Sequence, residues 1–301
     1  MSEKTGRIIG LTGGLYKADC DGEILFCRAR GKFRHRDISP NVGDIAEIYF
    51  DDHGQPVISE IEERKNLLIR PKLSNLDLIF IIIPAARPAP DLLTADKLSS
   101  IAVHQKINVA VVISKADLDP AFADKLFSIY NGIFDTFVTD GISGLGTDKL
   151  KKYLEENLNG KIAAFSGASG VGKSTLLNRL FPELSRRTGD ISLKAERGKN
   201  TTREVELFRE FGGYIADTPG FTMLDFENFD FFDKDDLPFN FPEFHNCLGK
   251  CRYTKCSHIK EDGCAVLAAV ERGEIPRSRH ESYKALFEVL KDKKPWDNKN
   301  A

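Results

Sequence analysis

The sequence predicts three parts: a small all-β barrel, an α/β domain on a parallel sheet, and a small, mostly helical domain. Short alternating segments separated by Gly, Asp and Asn turns fill the first part and are typical of an OB-type barrel. From about residue 75, apolar strands alternate with helices, as in a parallel sheet with helices on both faces. After Gly220 this alternation ends and cysteines cluster. We therefore expect domains at 1–70, 71–225 and 226–301.

Composition limits the possible partners. A net charge of -2 gives no general attraction to nucleic acid or membranes, so any phosphate binding must be local. The N-terminus MSEKTGRIIG has no apolar core, so we expect no signal peptide, and the apolar runs at 78–83 and 109–113 are too short to span a bilayer. We expect a cytoplasmic, monomeric protein with no membrane partner. In a reducing compartment, the clustered cysteines indicate a metal site rather than disulfides.

Alternating cations mark the segment RARGKFRHR at 28–36 of the predicted barrel. In an extended strand all five would project from one face. Such a face either protects a strand edge or forms a track for a phosphate backbone. Phe33 or His35 would be available for base stacking only if the strand twists or the loop folds over. The five cations are Arg28, Arg30, Lys32, Arg34 and Arg36.

GASGVGKS at 167–174 fits the phosphate-binding pattern G-x-x-x-x-G-K-[ST]. A predicted strand, KIAAFSG, precedes it, and a predicted helix, STLLNRLF, follows it. The glycines let backbone N–H groups surround phosphates at a helix N-terminus. Lys173 would contact the β- and γ-phosphates, and the Ser174 hydroxyl would bind Mg²⁺. The predicted nucleotide-binding residues of this loop are Gly167, Ala168, Ser169, Gly170, Val171, Gly172, Lys173, Ser174 and Thr175.

Two later segments fit the nucleotide-sensing switches of such a domain. In YIADTPG at 214–220, a strand ends at Asp217, which can hold Mg²⁺ directly or through water, and the Gly220 N–H can bond a γ-phosphate. In RGKNTTRE at 197–204, Thr201 and Thr202 can each supply a hydroxyl to Mg²⁺, and Thr202 is preferred. The alternative for this second segment is a merely flexible loop.

ISKADL at 113–118 resembles the guanine-specific N-K-x-D motif of GTPases and follows a buried strand. Asp117 can accept from both N1–H and the 2-amino group of guanine, while the Lys115 stem covers the base. Adenine lacks this donor pair and would leave buried groups unsatisfied. Ser114 replaces the usual Asn, and we expect a more loosely anchored loop.

DGISGLGTDKL at 140–150 is a weak match to a second base-contacting element of GTPases, S-A-x-T-G-x-G-L. Asp140 and Gly141 stand where Ser and Ala are expected.

CRYTKCSHIKEDGC supplies three thiols and an imidazole within one short segment. This set suits a closed tetrahedral zinc site, in which one structural ion has all its ligands from the protein. We expect Cys247 to be a free, partly buried thiol. The predicted metal ligands are Cys251, Cys256, His258 and Cys264.

The motifs occur in the order base-reading loop, phosphate-binding loop (P-loop), first switch, second switch. This order is a circular permutation of the Ras-like arrangement and resembles the ribosome small-subunit-dependent GTPase family over essentially the whole chain. The resemblance implies an OB-fold RNA-binding domain, a permuted α/β P-loop GTPase domain and a C-terminal zinc-binding domain. It also implies a GTPase that binds the small ribosomal subunit and its rRNA, uses GTP/GDP and Mg²⁺, assists late assembly and is stimulated by the subunit.

The chain departs from the family at the switches. Asn200 and Arg203 replace a His and a Thr of the first switch, which puts any role of that His in doubt. Phe221 occupies the position where Ras-like GTPases carry a water-orienting Gln, so we expect slow intrinsic hydrolysis. Because the second switch leads directly into the zinc domain, hydrolysis could move that domain as a lever.

Two other functions fit parts of the sequence. One is an ATP-dependent P-loop kinase or ATPase, which ISKADL disfavours. The other is a non-catalytic, nucleotide-regulated RNA-binding module, which Phe221 favours.

Overall fold

The computed structural model describes residues 3–34, 39–69, 72–182, 205–217 and 232–291. Its first five strands form a closed barrel in the order β1-β2-β3-β5-β4, in which β3 runs parallel to β5. Fully buried side chains such as Ile8, Cys27 and Ile48 fill the interior. This confirms the predicted OB-like barrel. Its strands are β1 (Glu3–Thr12), β2 (Leu15–Cys20), β3 (Glu23–Ala29), β4 (Ile45–Phe50) and β5 (Pro56–Ile61).

The extended interpretation of the alternating cations is wrong where the structure describes them. β3 ends at Ala29, and Gly31–Arg34 forms a 3₁₀ turn, so the cations do not share one strand face. The turn closes with the Phe33 N–H donating to the Arg30 carbonyl oxygen at 3.2 Å. Phe33 packs into the barrel core and is therefore not available for base stacking. Burial of this ring stabilises the turn over a longer strand. His35 and Arg36 lie outside the described residues.

A six-stranded sheet forms the α/β part, in the order β10-β9-β8-β11-β13-β12. β9 and β10 pair in parallel, as do β11 and β13, whereas β12 is antiparallel to β13. The antiparallel edge strand, and a separate two-stranded ribbon of β6 and β7, were not predicted from the sequence. The strands are β6 (Leu67–Ile69), β7 (Lys72–Ser74), β8 (Leu78–Pro84), β9 (Asn108–Ser114), β10 (Asp135–Val138), β11 (Ile162–Ser166), β12 (Glu206–Glu210) and β13 (Gly213–Asp217).

Helices alternate with these strands along the chain, as the sequence predicts. Aspartates cap the first two helices: Asp91 accepts from the Thr94 N–H, and Asp119 accepts from the Phe122 N–H. The helices are α1 (Leu92–His104), α2 (Pro120–Tyr130), α3 (Thr147–Asn157) and α4 (Lys173–Leu180). The C-terminal part adds α5 (Ala265–Glu271) and α6 (Arg277–Lys291) after two 3₁₀ turns.

The described chain divides into two compact units. The first contains the barrel, α3, β11 and the β12–β13 hairpin. The second contains α1, β9, α2, β10, the P-loop and the C-terminal part.

Within the first unit, the β12–β13 hairpin packs against the outside of the barrel. The Tyr214 hydroxyl donates to the buried Asp19 carboxylate at 2.9 Å, and the Arg7 guanidinium lies 5.5 Å from the Tyr214 ring centre. Lys17 and Glu206 form an ion pair at 2.9 Å. Burial, together with the hydrogen bond to Asp19, raises the pKa of Tyr214 to about 12. The hairpin is therefore attached to the barrel by specific polar contacts.

Within the second unit, the buried guanidinium of Arg279 on α6 joins α6 to α1. It donates to Asp96 Oδ1 at 2.7 Å and to Ser99 Oγ at 3.1 Å, both on α1. Glu243 accepts from Arg279 Nε at 2.7 Å, and the Phe241 ring covers the guanidinium at 4.6 Å. Charge pairing and hydrogen bonds on several sides are what allow an arginine to be fully buried.

Replacing Arg279 tests this joint. Arg279→Ala leaves the Asp96 and Glu243 carboxylates buried without their counter-charge, so we expect the free energy of unfolding to fall by about 3–5 kcal/mol. Urea denaturation followed by circular dichroism measures the change. Arg272→Ala is the matched control, because it breaks only the exposed pair with Glu274 and should leave the midpoint unchanged. Equal midpoints for Arg279→Ala and the wild type would show that the network does not hold α6 in place.

Candidate nucleotide site and metal centre

The predicted P-loop connects β11 to α4 and has the backbone of a phosphate-binding loop. Gly170 and Gly172 have φ values of +77° and +93°, in the left-handed region that favours glycine. A Cβ on Gly167 would lie 2.9 Å from the Val171 side chain, too close for a larger residue. α4 follows directly, and its N-terminus presents N–H groups and the positive end of the helix dipole to an anion.

Side chains at the P-loop differ in exposure. Lys173 is half-buried, whereas Ser169, Ser174 and Thr175 are exposed. The positively charged group and the hydroxyls that the sequence predicts for phosphate and Mg²⁺ are thus at the beginning of α4.

The base-reading loop is bound directly to the P-loop. The Ser114 hydroxyl, at the end of β9, donates to the Val171 carbonyl oxygen at 2.6 Å in a buried contact. Lys115 has a φ of +57°, and its Nζ donates at 2.6 Å to the carbonyl oxygens of Gly170 and Arg87. The expectation of a loosely anchored loop is therefore wrong, because the shorter Ser114 side chain still reaches a P-loop carbonyl.

The second base-contacting element, residues 140–146, also packs against the P-loop helix. The buried Asp140 carboxylate accepts from the N–H groups of Ile142 and Ser143 at 3.0 and 2.6 Å and so shapes the loop. A Cβ on Gly141 would lie 3.1 Å from Thr175 Cγ2 and 3.2 Å from the Leu176 nitrogen. The two departures from the S-A pattern are therefore compatible with an ordered loop at this position.

Asp117 is exposed in the turn after Lys115. The Ala116 N–H donates to the Thr139 carbonyl oxygen at 3.3 Å, which links this turn to the segment that leads into residues 140–146. The structure thus brings Ser114, Lys115 and the P-loop together and places Asp117 on an exposed turn beside them.

The two predicted switches fall mostly outside the described residues. Asp217 is the last residue of β13, but its side chain lies outside the description. β13 runs parallel to β11, with Ala164 paired to Ala216, so both strands end at the same edge of the sheet. The other predicted switch residues, Thr201, Thr202, Gly220 and Phe221, lie outside the described residues, as do Asn200 and Arg203.

The predicted metal ligands converge in the C-terminal part. Their ligand atoms all lie within 4.8 Å of one another, and His258 Nδ1 is 3.5 Å from Cys251 Sγ and 3.4 Å from Cys264 Sγ. In a tetrahedron with Zn–S bonds of about 2.3 Å and a Zn–N bond of about 2.0 Å, ligand atoms stand about 3.5–3.8 Å apart. The geometry fits such an ion. Cys247 is half-buried and lies outside the cluster, as expected.

Neighbouring groups orient this cluster. The Ala265 N–H donates to Cys251 Sγ at 3.4 Å, and the Leu267 N–H donates to Cys264 Sγ at 3.5 Å, which favours thiolates at the start of α5. Burial raises the pKa of the Cys256 thiol to about 12 and lowers the pKa of His258. The imidazole is therefore neutral near pH 7, whereas the thiol must exchange its proton for a metal ion.

Glu261 holds the loop between the last two ligands. Its carboxylate accepts from the Ser257 N–H at 2.7 Å, from the N–H groups of Ile259 and Lys260 at 3.0 Å each, and from the Ser257 hydroxyl. Burial alone would raise the pKa of Glu261, but the hydrogen bonds from Ser257 and the backbone lower it to about 2.

Fold and site together define a circularly permuted P-loop GTPase with an N-terminal barrel and a C-terminal Cys₃His cluster. Family models for the RsgA N-terminal domain and the RsgA GTPase match residues 5–58 and 61–227. The chain belongs to the RsgA GTPase family.

Its relatives match over nearly their full length. Proteins described as small ribosomal subunit biogenesis GTPase RsgA include one from Clostridium beijerinckii, 39% identical over 96% of this chain and 98% of that protein. Another, from Caldanaerobacter subterraneus, is 38% identical over the full length of both. Among solved structures, YjeQ from Thermotoga maritima has a TM-score of 0.83 at 32% identity, covering 97% of this chain and 100% of that one. YloQ, described as a circularly permuted GTPase, has a TM-score of 0.78 at 31% identity, covering 98% and 97%.

No helix in the described ranges is long and apolar enough to span a bilayer.

Sequence reasoning missed the contacts of Glu261 and Arg279, and it treated Asp140 only as a departure from the S-A pattern. Asp140 begins a glycine-rich turn, and Glu261 lies between two metal ligands. Each position could have indicated a carboxylate that accepts hydrogen bonds from its own loop. Arg279 gave no local signal, because its partner Asp96 lies 183 positions away.

The role of Glu261 can be measured through metal affinity. Glu261→Ala removes four accepted hydrogen bonds from the ligand loop, so we expect the affinity for a divalent metal to fall by about tenfold or more. Cobalt(II) titration, read by the absorbance of the thiolate complex, measures this loss. Asp262→Ala is the control, because the Asp262 carboxylate is exposed and forms an ion pair with the exposed Arg252.

The metal affinity of the cluster should also depend on pH, and the same cobalt(II) titration measures this dependence. Burial holds protons on the Cys256 and Cys264 thiols, so affinity should increase as pH rises from 6 to 8 and thiol protons become easier to displace. An affinity independent of both pH and Glu261 would contradict thiolate ligation in this cluster.

Proposed function

We propose that this protein is a GTPase that binds the small ribosomal subunit and its rRNA and assists late subunit assembly. It hydrolyses GTP to GDP and phosphate, and the subunit stimulates this activity. The observation that carries the proposal is the joining of the base-reading loop to the P-loop through Ser114 and Lys115 in a permuted order. Relatives named for small-subunit biogenesis support the choice of partner. We place the protein in the cytoplasm as a monomer; its unpaired cysteines fit a reducing compartment.

Guanine selectivity is assigned to the two base loops. Asp117 accepts from N1–H and the 2-amino group, and the Lys115 stem lies against the base. Among the described residues no acceptor lies within hydrogen-bond distance of the Gly141 N–H, and it can donate to the guanine O6. Adenine carries an amino group at this position and would place a donor against a donor. Because a bound base would bury these groups, wrong pairing of several of them gives steep discrimination.

Phosphate binding is assigned to the P-loop N–H groups and to Lys173, at the N-terminus of α4. Mg²⁺, when bound, neutralises phosphate charge during transfer. Ser174 and Asp217 would hold it, with Thr202 from the first switch. The end of β13 beside the end of β11 supports the place of Asp217. The Gly220 N–H would bond the γ-phosphate.

Water activation is the step for which the chain lacks an obvious side chain. Phe221 cannot orient water where Ras-like GTPases use Gln, so intrinsic hydrolysis is slow. The small subunit then accelerates hydrolysis by ordering the switches or by supplying a polar group. One structural zinc ion, bound by the Cys₃His cluster, holds the C-terminal part in a closed site without an open position for catalysis.

Multiple-turnover phosphate release tests the proposal. The wild type with GTP alone should turn over slowly, and a stoichiometric amount of small subunits should raise the rate by at least about tenfold. Large subunits and Lys173→Ala are the controls: the first should not stimulate, and the second should abolish stimulated turnover. ATP in place of GTP should give no turnover.

Three outcomes would contradict the proposal. Turnover of ATP at the GTP rate would indicate a P-loop ATPase or kinase. An unchanged rate with small subunits would remove the proposed partner. Subunit binding without any turnover would indicate a non-catalytic module regulated by the nucleotide.

A further inference from the structure

An exposed aromatic side chain lies within a basic segment of the metal centre. Residues 250–260 are here called the zinc loop. Tyr253 of this loop is 50% exposed to solvent. The loop contains four exposed cations and no acidic residue, in a chain whose net charge is -2. The four cations are Lys250, Arg252, Lys255 and Lys260.

Tyr253 is held on a short turn between two metal ligands. Cys251 and Cys256 flank it, and the Arg252 N–H donates to the Gly263 carbonyl oxygen at 3.0 Å. A Cβ on Gly263 would lie 2.9 Å from Arg252 Cβ, so the two backbones pack closely. The Arg252 guanidinium stacks 5.6 Å from the Tyr253 ring centre. The ring is therefore presented at little cost in conformational entropy.

Isolated exposed aromatic residues are common on protein surfaces and need no ligand. The surroundings of Tyr253 distinguish it from that case. Its neighbours in the sequence are mainly cationic rather than apolar, which disfavours an apolar protein partner. Arg252 is paired with the exposed Asp262 at 2.9 Å, so phosphate contacts fall to the lysines. An exposed aromatic ring among cations matches the surface that binds single-stranded nucleic acid, where bases stack on the ring and phosphates meet the charges.

We propose that the zinc loop binds a single-stranded segment of RNA, with an unpaired base stacked on Tyr253 and phosphates bound by Lys250, Lys255 and Lys260. This inference rests on the proposed function and adds a contact residue to it. The metal ion acts indirectly, by fixing the turn that presents the ring.

Direct binding of RNA tests this contact. The full-length, zinc-loaded chain is titrated with a fluorescent single-stranded oligoribonucleotide of about ten nucleotides. Tyr253→Ala should bind about tenfold more weakly, whereas Tyr253→Phe, which keeps the ring, should stay within about twofold of the wild type. Zinc content and circular dichroism confirm that each variant is folded.

The salt dependence of RNA affinity tests whether the zinc-loop lysines contact phosphates. The double variant Lys255→Gln/Lys260→Gln should reduce the slope of log affinity against log salt by about 1.4, the value for two phosphate contacts to a single strand. Lys151→Gln, an exposed lysine on α3, is the matched control and should leave the slope unchanged.

Ultraviolet crosslinking of the wild type to the oligoribonucleotide adds a measurement that needs no variant. Mass spectrometry should locate a crosslink at Tyr253, and crosslinks found only elsewhere would overturn the inference.

Binding of the GTP-analogue-loaded protein to small subunits separates this inference from the proposed function. If the wild type does not bind them, the proposed function fails. If the wild type binds, and Tyr253→Ala binds equally to subunits and to RNA, only the zinc-loop contact is overturned. Weaker binding of Tyr253→Ala to subunits but not to RNA would also overturn it, because the partner would then be a protein.

Discussion

The nucleotide site depends on one set of contacts, between the base-reading loop and the P-loop. Lys115 Nζ binds the carbonyl oxygens of Gly170 and Arg87, and the Ser114 hydroxyl binds that of Val171. These contacts turn P-loop carbonyl groups toward a cation and a hydroxyl. Carbonyl oxygens would repel a phosphate, whereas the N-terminus of α4 directly after the loop offers N–H groups to it. The loops proposed to bind the base and the phosphates are thus joined directly, although 55 positions separate Lys115 from Gly170.

The circular permutation changes which parts of the chain precede and follow the two predicted switches. The β12–β13 hairpin lies between the two predicted switches, and its Tyr214 and Glu206 contact the barrel. Each predicted switch is therefore connected by a single strand of this hairpin to a residue that contacts the barrel. After the second switch the chain continues into the C-terminal part, where Arg279 joins α6 to α1. A lever-like response of the zinc domain to hydrolysis remains a hypothesis that agrees with this connectivity.

The sequence predicted the features that local spacing determines. The P-loop glycines, the Cys₃His spacing and the strand before SKAD need only nearby residues, and all have the expected geometry. Predictions failed where tertiary contacts decide. The alternating cations were expected on one strand face with Phe33 as a candidate for base stacking, but the Phe33 ring packs in the barrel core. Ser114 was expected to anchor its loop weakly because it replaces the usual Asn, but its hydroxyl reaches the Val171 carbonyl oxygen of a distant segment. Arg279 was missed because its partners come from other parts of the chain.

The rate of GDP release from Ser114 variants tests the central claim most directly. Ser114→Ala leaves the buried Val171 carbonyl without its donor, a loss of about 1–3 kcal/mol, so release of fluorescent GDP should accelerate by about tenfold. Ser114→Asn restores the residue usual in this motif and can donate to the same carbonyl, so its release rate should stay near that of the wild type. Identical release rates for Ser114→Ala and the wild type would contradict the dependence of nucleotide binding on this contact.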